Sequence, residues 1–204
     1  MRLRHLLISA LILSVIFTGC MGTFETARVV PFKIGATCFT SIGDDEDDVS
    51  FVMPGIILEG GWPAGPGKFG IGLHMRAAGV FESGEDADNG FMFVWGGKVQ
   101  LPQNSVADIA IGVDVWAYYP GELKLFLSKQ LGPIEPYFAI GIAGFLNDDD
   151  DDDDVIVIDD GTMTYTAGTM IRFGTGSGWM LAAELEAGDV WTTPGVGFGL
   201  IKAF

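Results

Sequence analysis

Acidic residues occur in two dense runs that could bind cations. One run is Asp44, Asp45, Glu46, Asp47 and Asp48, and the other is Asp148, Asp149, Asp150, Asp151, Asp152, Asp153 and Asp154. Carboxylate oxygens are preferred ligands of Ca²⁺, which tolerates irregular coordination, although neither run has the spacing of an EF-hand loop. We therefore predict weak Ca²⁺ binding at both runs. The alternative is that they are self-repelling, solvated loops that hold no ion.

His74 also has catalytic potential, because an imidazole transfers protons near neutral pH. It lies within an alternating stretch, two residues before Arg76. The sequence contains no GxSxG, HExxH or CxxC motif that would supply a nucleophile or a metal site. We therefore predict a structural role for His74, no catalytic residue and no cofactor. An enzyme that uses His74 is kept as an alternative.

The N-terminus has the pattern of a secretion signal. Two arginines and a histidine within the first five residues precede an apolar stretch over residues 6–17. The residues Phe17-Thr18-Gly19-Cys20 resemble the lipobox of bacterial lipoproteins, which implies lipidation of Cys20. Ordinary cleavage a few residues later is the alternative, and both take the protein out of the cytoplasm. We predict a signal peptide over 1–20, a short tether over 21–26 and one barrel domain over 27–204.

Composition favours strands over helices. Hydrophobic residues make up 49% of the 204 residues, yet no apolar run after residue 20 reaches the roughly 18–20 residues of a membrane helix. The 30 glycines also disfavour helices. Without the two signal-peptide arginines, nine basic residues remain against 27 acidic ones, a net charge of −18. A surface this acidic repels phosphate, so we predict no nucleic-acid binding.

Polar and apolar residues alternate with a period of two, as in strands that have two different faces. In the fifth such stretch, Ile111 and Val113 share one face, and Gly112 and Asp114 share the other. The ten predicted strands cover about residues 27–40, 51–62, 67–81, 90–101, 105–119, 121–131, 134–146, 162–173, 178–187 and 194–204.

One face of these strands is apolar, and the other combines glycine with charged residues. A membrane barrel places the apolar face in lipid and the polar face in its lumen. We predict a filled lumen with paired charges from Lys33, Lys68, Arg76, Lys98, Lys124, Arg172, Glu59, Asp108, Asp114, Glu122, Glu135, Glu184 and Glu186. A proton or small-ion path along these charges is kept as an alternative role for them. The alternative is a lipid-anchored, soluble, lipocalin-like barrel that binds a small apolar ligand and encloses Phe93, Ile109, Ile111 and Val113.

The connections and the last strand indicate a location. Connections after odd-numbered strands contain most of the acidic residues, whereas those after even-numbered strands are short and contain none. Val196, Phe198, Leu200 and Phe204 share one face, which resembles the C-terminal strand of bacterial outer-membrane β-barrel proteins, with Lys202 departing from that pattern. The resemblance implies an outer-membrane protein with periplasmic termini and short turns, and with extracellular acidic loops.

Together these observations predict an all-β, antiparallel up-and-down transmembrane β-barrel of about ten strands. Eight strands are possible if the first hairpin lies outside the closure. The predicted role is non-enzymatic, either structural or in surface interaction. The predicted partners are outer-membrane lipid and lipopolysaccharide, the latter reached through divalent cations. An outer-membrane lipid-modifying or proteolytic enzyme that uses His74 is the further alternative.

Overall fold

The computed structural model of the protein describes residues 24–41, 50–83, 89–116, 119–143, 162–174, 178–188 and 194–204. These residues form ten strands and contain no helix. The strands are β1 (Phe32–Ser41), β2 (Ser50–Trp62), β3 (Gly70–Ser83), β4 (Asn89–Gln100), β5 (Asp108–Trp116), β6 (Tyr119–Ser128), β7 (Ile134–Ala143), β8 (Thr162–Phe173), β9 (Trp179–Gly188) and β10 (Gly195–Ala203).

The ten strands form one closed antiparallel sheet in which each strand pairs with its neighbours in sequence. β1 closes the ring by pairing with β10 along nine residue pairs that begin at Lys33 and Ala203. At the same seam, the backbone N–H of Phe204 donates to the carbonyl of Phe32, and the two rings lie 5.6 Å apart. The predicted up-and-down barrel is confirmed. The eight-stranded alternative is wrong, because β1 and β2 are both part of the ring.

The largest difference in strand boundaries is at β1, which begins at Phe32 and not near residue 27. Pro31 has no N–H to donate to a sheet ladder. The residues before it turn into the barrel interior, where Phe24, Glu25 and Ala27 are fully buried. The other strands begin and end within about three residues of the predicted positions, the variation expected at element ends.

Side chains alternate between the outer surface and the lumen, as the pleat of a strand requires. Ile111 and Val113 are 49% and 47% exposed, whereas Ala110 and Asp114 are buried. Every strand contributes large exposed hydrophobic side chains. The described charged side chains of the strands are buried in the lumen, except Arg172 and Lys202 near the short-turn ends of β8 and β10. The predicted phase is confirmed. Ile111 and Val113 face outward, whereas a lipocalin-like barrel would need them inside.

The strands are nine to fourteen residues long, and about 9–11 residues suffice for a tilted strand to cross a bilayer. Each strand is therefore compatible with a transmembrane barrel. Among the described residues, no helix is long and apolar enough to cross a membrane.

Aromatic side chains are exposed near both ends of the outer surface. Trp62 and Trp179 lie at the end where β2–β3, β4–β5, β6–β7 and β8–β9 are connected, hereafter the short-turn end. Phe81 lies towards the opposite end, hereafter the loop end. Lys202 Nζ lies 5.3 Å from the ring centroid of Trp179 and 5.0 Å from that of Phe204. The lysine that departs from the sequence pattern therefore packs over aromatic rings.

The lumen also contains apolar side chains, in groups at different heights. Phe39 and Met53 pack together near the loop end. Met170 and Ile201 belong to a second group nearer the short-turn end.

Candidate functional site

The barrel interior is occupied by a segment of the chain itself, residues 24–31, hereafter the lumen segment. Phe24, Glu25 and Ala27 have no exposed surface, and Thr26 and Val29 are 4% exposed. The segment runs from the middle of the lumen to the short-turn end, where it leads into β1. Residues 24–26, predicted to be part of a tether, therefore lie inside the barrel.

Wall side chains hold the backbone of the lumen segment. The N–H of Phe24 donates to Glu184 Oε2 at 2.8 Å, and the N–H of Val29 donates to Gln100 Oε1 at 2.8 Å. A buried backbone group without a partner would cost free energy comparable to a lost hydrogen bond. The wall thus replaces the water that would otherwise solvate this stretch of chain.

Glycines in the wall leave the space that the lumen segment fills. A Cβ atom on Gly72 would lie 3.2 and 3.3 Å from the two Cγ atoms of Val29. A Cβ atom on Gly197 would lie 2.8 Å from the ring of Phe24. Glycine inside a strand often marks a close approach of other groups. The glycine-rich inner face therefore matches the shape of the segment packed against it.

His74 is buried between one carboxylate of the lumen segment and one of the wall. Its Nδ1 lies 2.9 Å from Glu25 Oε1, and its Nε2 lies 2.6 Å from Asp114 Oδ1. Gly96 makes room for this arrangement, because a Cβ atom there would clash with the His74 ring and with Asp114. Both ring nitrogens face an acceptor, which is the pattern of a doubly protonated imidazolium between two anions.

Glu25, His74 and Asp114 each offer a ligand atom within 4.8 Å of the others, as a metal site would require. However, the two carboxylates approach opposite nitrogens of the ring, so one ion could not use all three side chains in this arrangement. Arg76 and Lys124 also contact Asp114 Oδ2 and would repel a cation. Because carboxylates occupy both imidazole nitrogens, proton transfer to a substrate is equally disfavoured. The arrangement joins the segment to the wall electrostatically.

Glu25 is completely buried next to basic side chains of the barrel wall. Its Oε1 lies 2.9 Å from His74 Nδ1. Nearby positive charge favours the ionised form of a buried carboxyl group.

A first group of ion pairs links the wall strands β1, β2 and β4. Glu59 on β2 lies 2.6 Å from Lys33 Nζ on β1 and 3.0 Å from Lys98 Nζ on β4. Lys98 Nζ also donates to the carbonyl of Thr26 at 2.8 Å. Lys98 therefore contacts both a carboxylate of the wall and the backbone of the lumen segment.

A second group of ion pairs links β3, β5 and β6. Asp114 on β5 contacts Arg76 on β3 and Lys124 on β6, and Lys124 lies 2.9 Å from Glu122. Buried charges are tolerated when they are paired, and removing one partner costs about 3–5 kcal/mol. The predicted cross-linking of the interior by ion pairs is confirmed.

At the short-turn end, Arg28 of the lumen segment lies between two wall carboxylates. Its guanidinium nitrogens are 3.9 Å from Asp108 and 3.7 Å from Glu135, and it donates to Gln130 Oε1. The side chain of Arg28 is 26% exposed, so this end of the segment borders solvent.

Two predicted lumen cations lie outside the lumen. Lys68 is exposed in the turn between β2 and β3, where it bridges to Gly65, and Arg172 is exposed next to the last residue of β8. These predictions are wrong because the enclosed lumen ends before it reaches either residue. The other eleven predicted lumen charges are buried.

Glu25 and Arg28 are lumen residues that the sequence pattern did not reveal, because residues 24–29 are buried or half-buried without a period of two. Two signals pointed towards them. Pro31 marks a break at the start of the predicted first strand, and the glycines on the inner face leave unfilled space in a ten-stranded barrel.

The two acidic runs and Cys20 lie outside the described residues, so Ca²⁺ binding and lipidation stay predictions. The strand ends that flank the runs, Ser41 and Ser50 for the first and Ala143 and Thr162 for the second, all lie at the loop end. The chain therefore enters and leaves both acidic stretches at the same end of the barrel.

The fold and the lumen define a closed antiparallel β-barrel with an apolar outer surface, a charged inner wall and an interior filled by its own N-terminal segment. No family model matches the chain, and no curated protein matches it in sequence. Function is therefore inferred from the arrangement of the residues.

Proposed function

We propose that the protein is a non-enzymatic β-barrel of the bacterial outer membrane. One observation supports this most strongly. Large hydrophobic side chains cover the outside of every strand, while most of the described charged side chains of the strands are enclosed. This is the polarity of a transmembrane barrel, whereas a soluble barrel has the opposite polarity.

The exposed side chains are large and lie on different strands. Leu73, Phe91 and Leu185 are 65%, 63% and 58% exposed. Complete burial of one such side chain stabilises a structure by about 1.5–3 kcal/mol. Soluble monomers therefore rarely expose large continuous apolar patches. The closed ring also leaves no unpaired sheet edge, which a bilayer would not tolerate.

The two ends of the barrel suggest its orientation. Outer-membrane barrels have short turns on the periplasmic side and longer loops outside the cell. We therefore assign the short-turn end to the periplasm and the loop end, with the acidic runs 44–48 and 148–154, to the exterior. There the carboxylates would bind Ca²⁺ weakly and approach lipopolysaccharide phosphates through shared divalent cations.

Membrane insertion can be tested with Trp95, which is 55% exposed in the middle of β4. The other four tryptophans would be replaced by Phe, and the variant refolded into vesicles that contain brominated lipid. We expect strong quenching of Trp95 fluorescence, because this side chain would contact acyl chains. A matched variant with Trp95→Phe and Phe126→Trp, which moves the indole to a buried lumen position, should be quenched much less. Equal quenching, or a protein that stays soluble without detergent, would contradict the proposal.

The role of the acidic run can be tested separately. Replacing residues 148–154 by Asn should leave folding and insertion unchanged and reduce Ca²⁺ binding measured by calorimetry. Unchanged Ca²⁺ binding would show that this run only solvates the loop.

A further inference from the structure

We infer that the lumen segment is a displaceable plug, and that the lumen conducts small cations when the segment leaves it. The inference rests on the proposed function, because conduction requires a barrel that spans a membrane. It goes beyond that function by assigning an ion path and the element that closes it.

The lumen segment can leave without breaking the sheet. Its hydrogen bonds to the wall run through side chains such as Glu184, Gln100 and Lys98, while β1 keeps its ladders to β2 and β10. The backbone contact nearest the sheet is at the rim, where the N–H of Gly61 donates to the carbonyl of Pro31 at 3.1 Å. This proline is the point about which the segment would swing out of the short-turn end.

The wall keeps its own charge pairs without the segment. Glu59 stays between Lys33 and Lys98, and Asp114 stays between Arg76 and Lys124, because all these residues belong to strands. Departure of the segment therefore does not leave these buried charges unpaired, which would otherwise oppose opening.

The wall carries an excess of negative charge. Among the described residues, its buried side chains include seven carboxylates and four lysines or arginines, namely Glu59, Asp108, Asp114, Glu122, Glu135, Glu184 and Glu186 against Lys33, Arg76, Lys98 and Lys124. His74 adds at most one positive charge. The segment removes one acid and one base, Glu25 and Arg28, so the excess persists after it leaves. Carboxylates that line a pore favour cations over anions.

The carboxylates are placed along the length of the lumen. Asp108 and Glu135 lie at the short-turn end, on either side of Arg28. Glu184 and Glu186 lie further along, in the half of β9 nearer the loop end. The lumen segment lies between these two groups, and its departure would join them into one polar path.

A disulfide can lock the segment in place. The Cβ position of Gly72 is 3.2 Å from a Cγ atom of Val29, and its other near neighbour is the flexible end of Lys98. The variant Val29→Cys with Gly72→Cys, in a Cys38→Ala background, therefore places two thiols within range of a disulfide. We expect single-channel openings in planar bilayers for the reduced protein and at least a tenfold lower open probability after oxidation. The matched control, Gly72→Cys and Cys38→Ala alone, should not respond to oxidation.

A second variant removes the plug. Deletion of residues 24–30 from the full chain should give a larger and steadier current that prefers K⁺ to Cl⁻, read from the sign of the reversal potential in a KCl gradient. Adding Asp108→Asn and Glu135→Gln to the deletion should weaken this preference, because both carboxylates then face the open path.

The outcomes separate the two proposals. If Trp95 is not quenched by brominated lipid, the membrane barrel itself is wrong. If the protein inserts but its current is the same when oxidised and reduced, including no current in either state, the plug is overturned. The comparison of oxidised and reduced currents tests the plug even if the deletion variant does not fold. A preference for Cl⁻ would overturn the cation path.

Discussion

The lumen segment and β1 follow one another in the chain and meet at Pro31, yet they are held in different ways. β1 pairs along its backbone with β2 on one side and β10 on the other, and most of its residues alternate between outward-facing and lumen-facing positions. The lumen segment is buried on all sides from Phe24 to Ala27 and is held by wall side chains. Backbone pairing thus forms the barrel, and side-chain contacts determine what fills it.

The largest expected effect is the loss of barrel formation when proline is introduced into β1, compared with proline in the lumen segment. Ala36 is paired with Ile56 and Leu200 within the ring, and proline removes a ladder donor there. We expect Ala36→Pro to abolish most of the folded form that migrates differently before and after heating on gels. Ala27→Pro, in the lumen segment, should still form the closed barrel. Equal loss in both variants would mean that the segment is required for closure.

A smaller effect, on the free energy of unfolding, is expected when either of the two carboxylates that contact His74 is neutralised. Asp114 also pairs with Arg76 and Lys124, so Asp114→Asn removes the buried carboxylate that these cations share and should destabilise the barrel by about 3–5 kcal/mol. Glu25→Gln removes an anion whose nearest partner, His74, can become neutral, so we expect a smaller loss. Urea unfolding in lipid vesicles measures both. A larger loss for Glu25→Gln would show that the segment, and not the wall, carries the interior charge balance.

The smallest effect compares two neighbouring glycines on β4. Gly96 points inward, where a Cβ atom would clash with His74, Asp114 and the carbonyl of Val113. Gly96→Ala should therefore cost about 1–3 kcal/mol, as overpacking does. Gly97 points outward, and a Cβ atom there would lie 3.2 Å from the flexible Leu73 side chain and 3.3 Å from the Gly72 carbonyl. Gly97→Ala should cost less than Gly96→Ala in the same unfolding measurement, and the reverse order would contradict the described packing around His74.

The sequence predicted the barrel well, because most residues of the strands follow the same two-residue period. That period placed Ile111 outside and Asp114 inside before any contact was known. It could not show that Glu25 and Asp114 meet at His74, because these residues are far apart in sequence and their contact depends on strand register and on a segment without alternation. Lys68 and Arg172 were misplaced for a related reason, since a period gives the face of a strand but not the height at which the enclosed lumen ends.

The seam between β1 and β10 has a consequence for how the barrel forms. It joins residues as distant as Lys33 and Ala203, so almost the whole chain must be ordered before this contact is made. Contacts of such high sequence separation form slowly. Until the seam closes, two strand edges stay available to strands of other molecules. Assembly is therefore most vulnerable to aggregation just before its last step, when nearly all of the sheet exists and its first and last strands have not yet met.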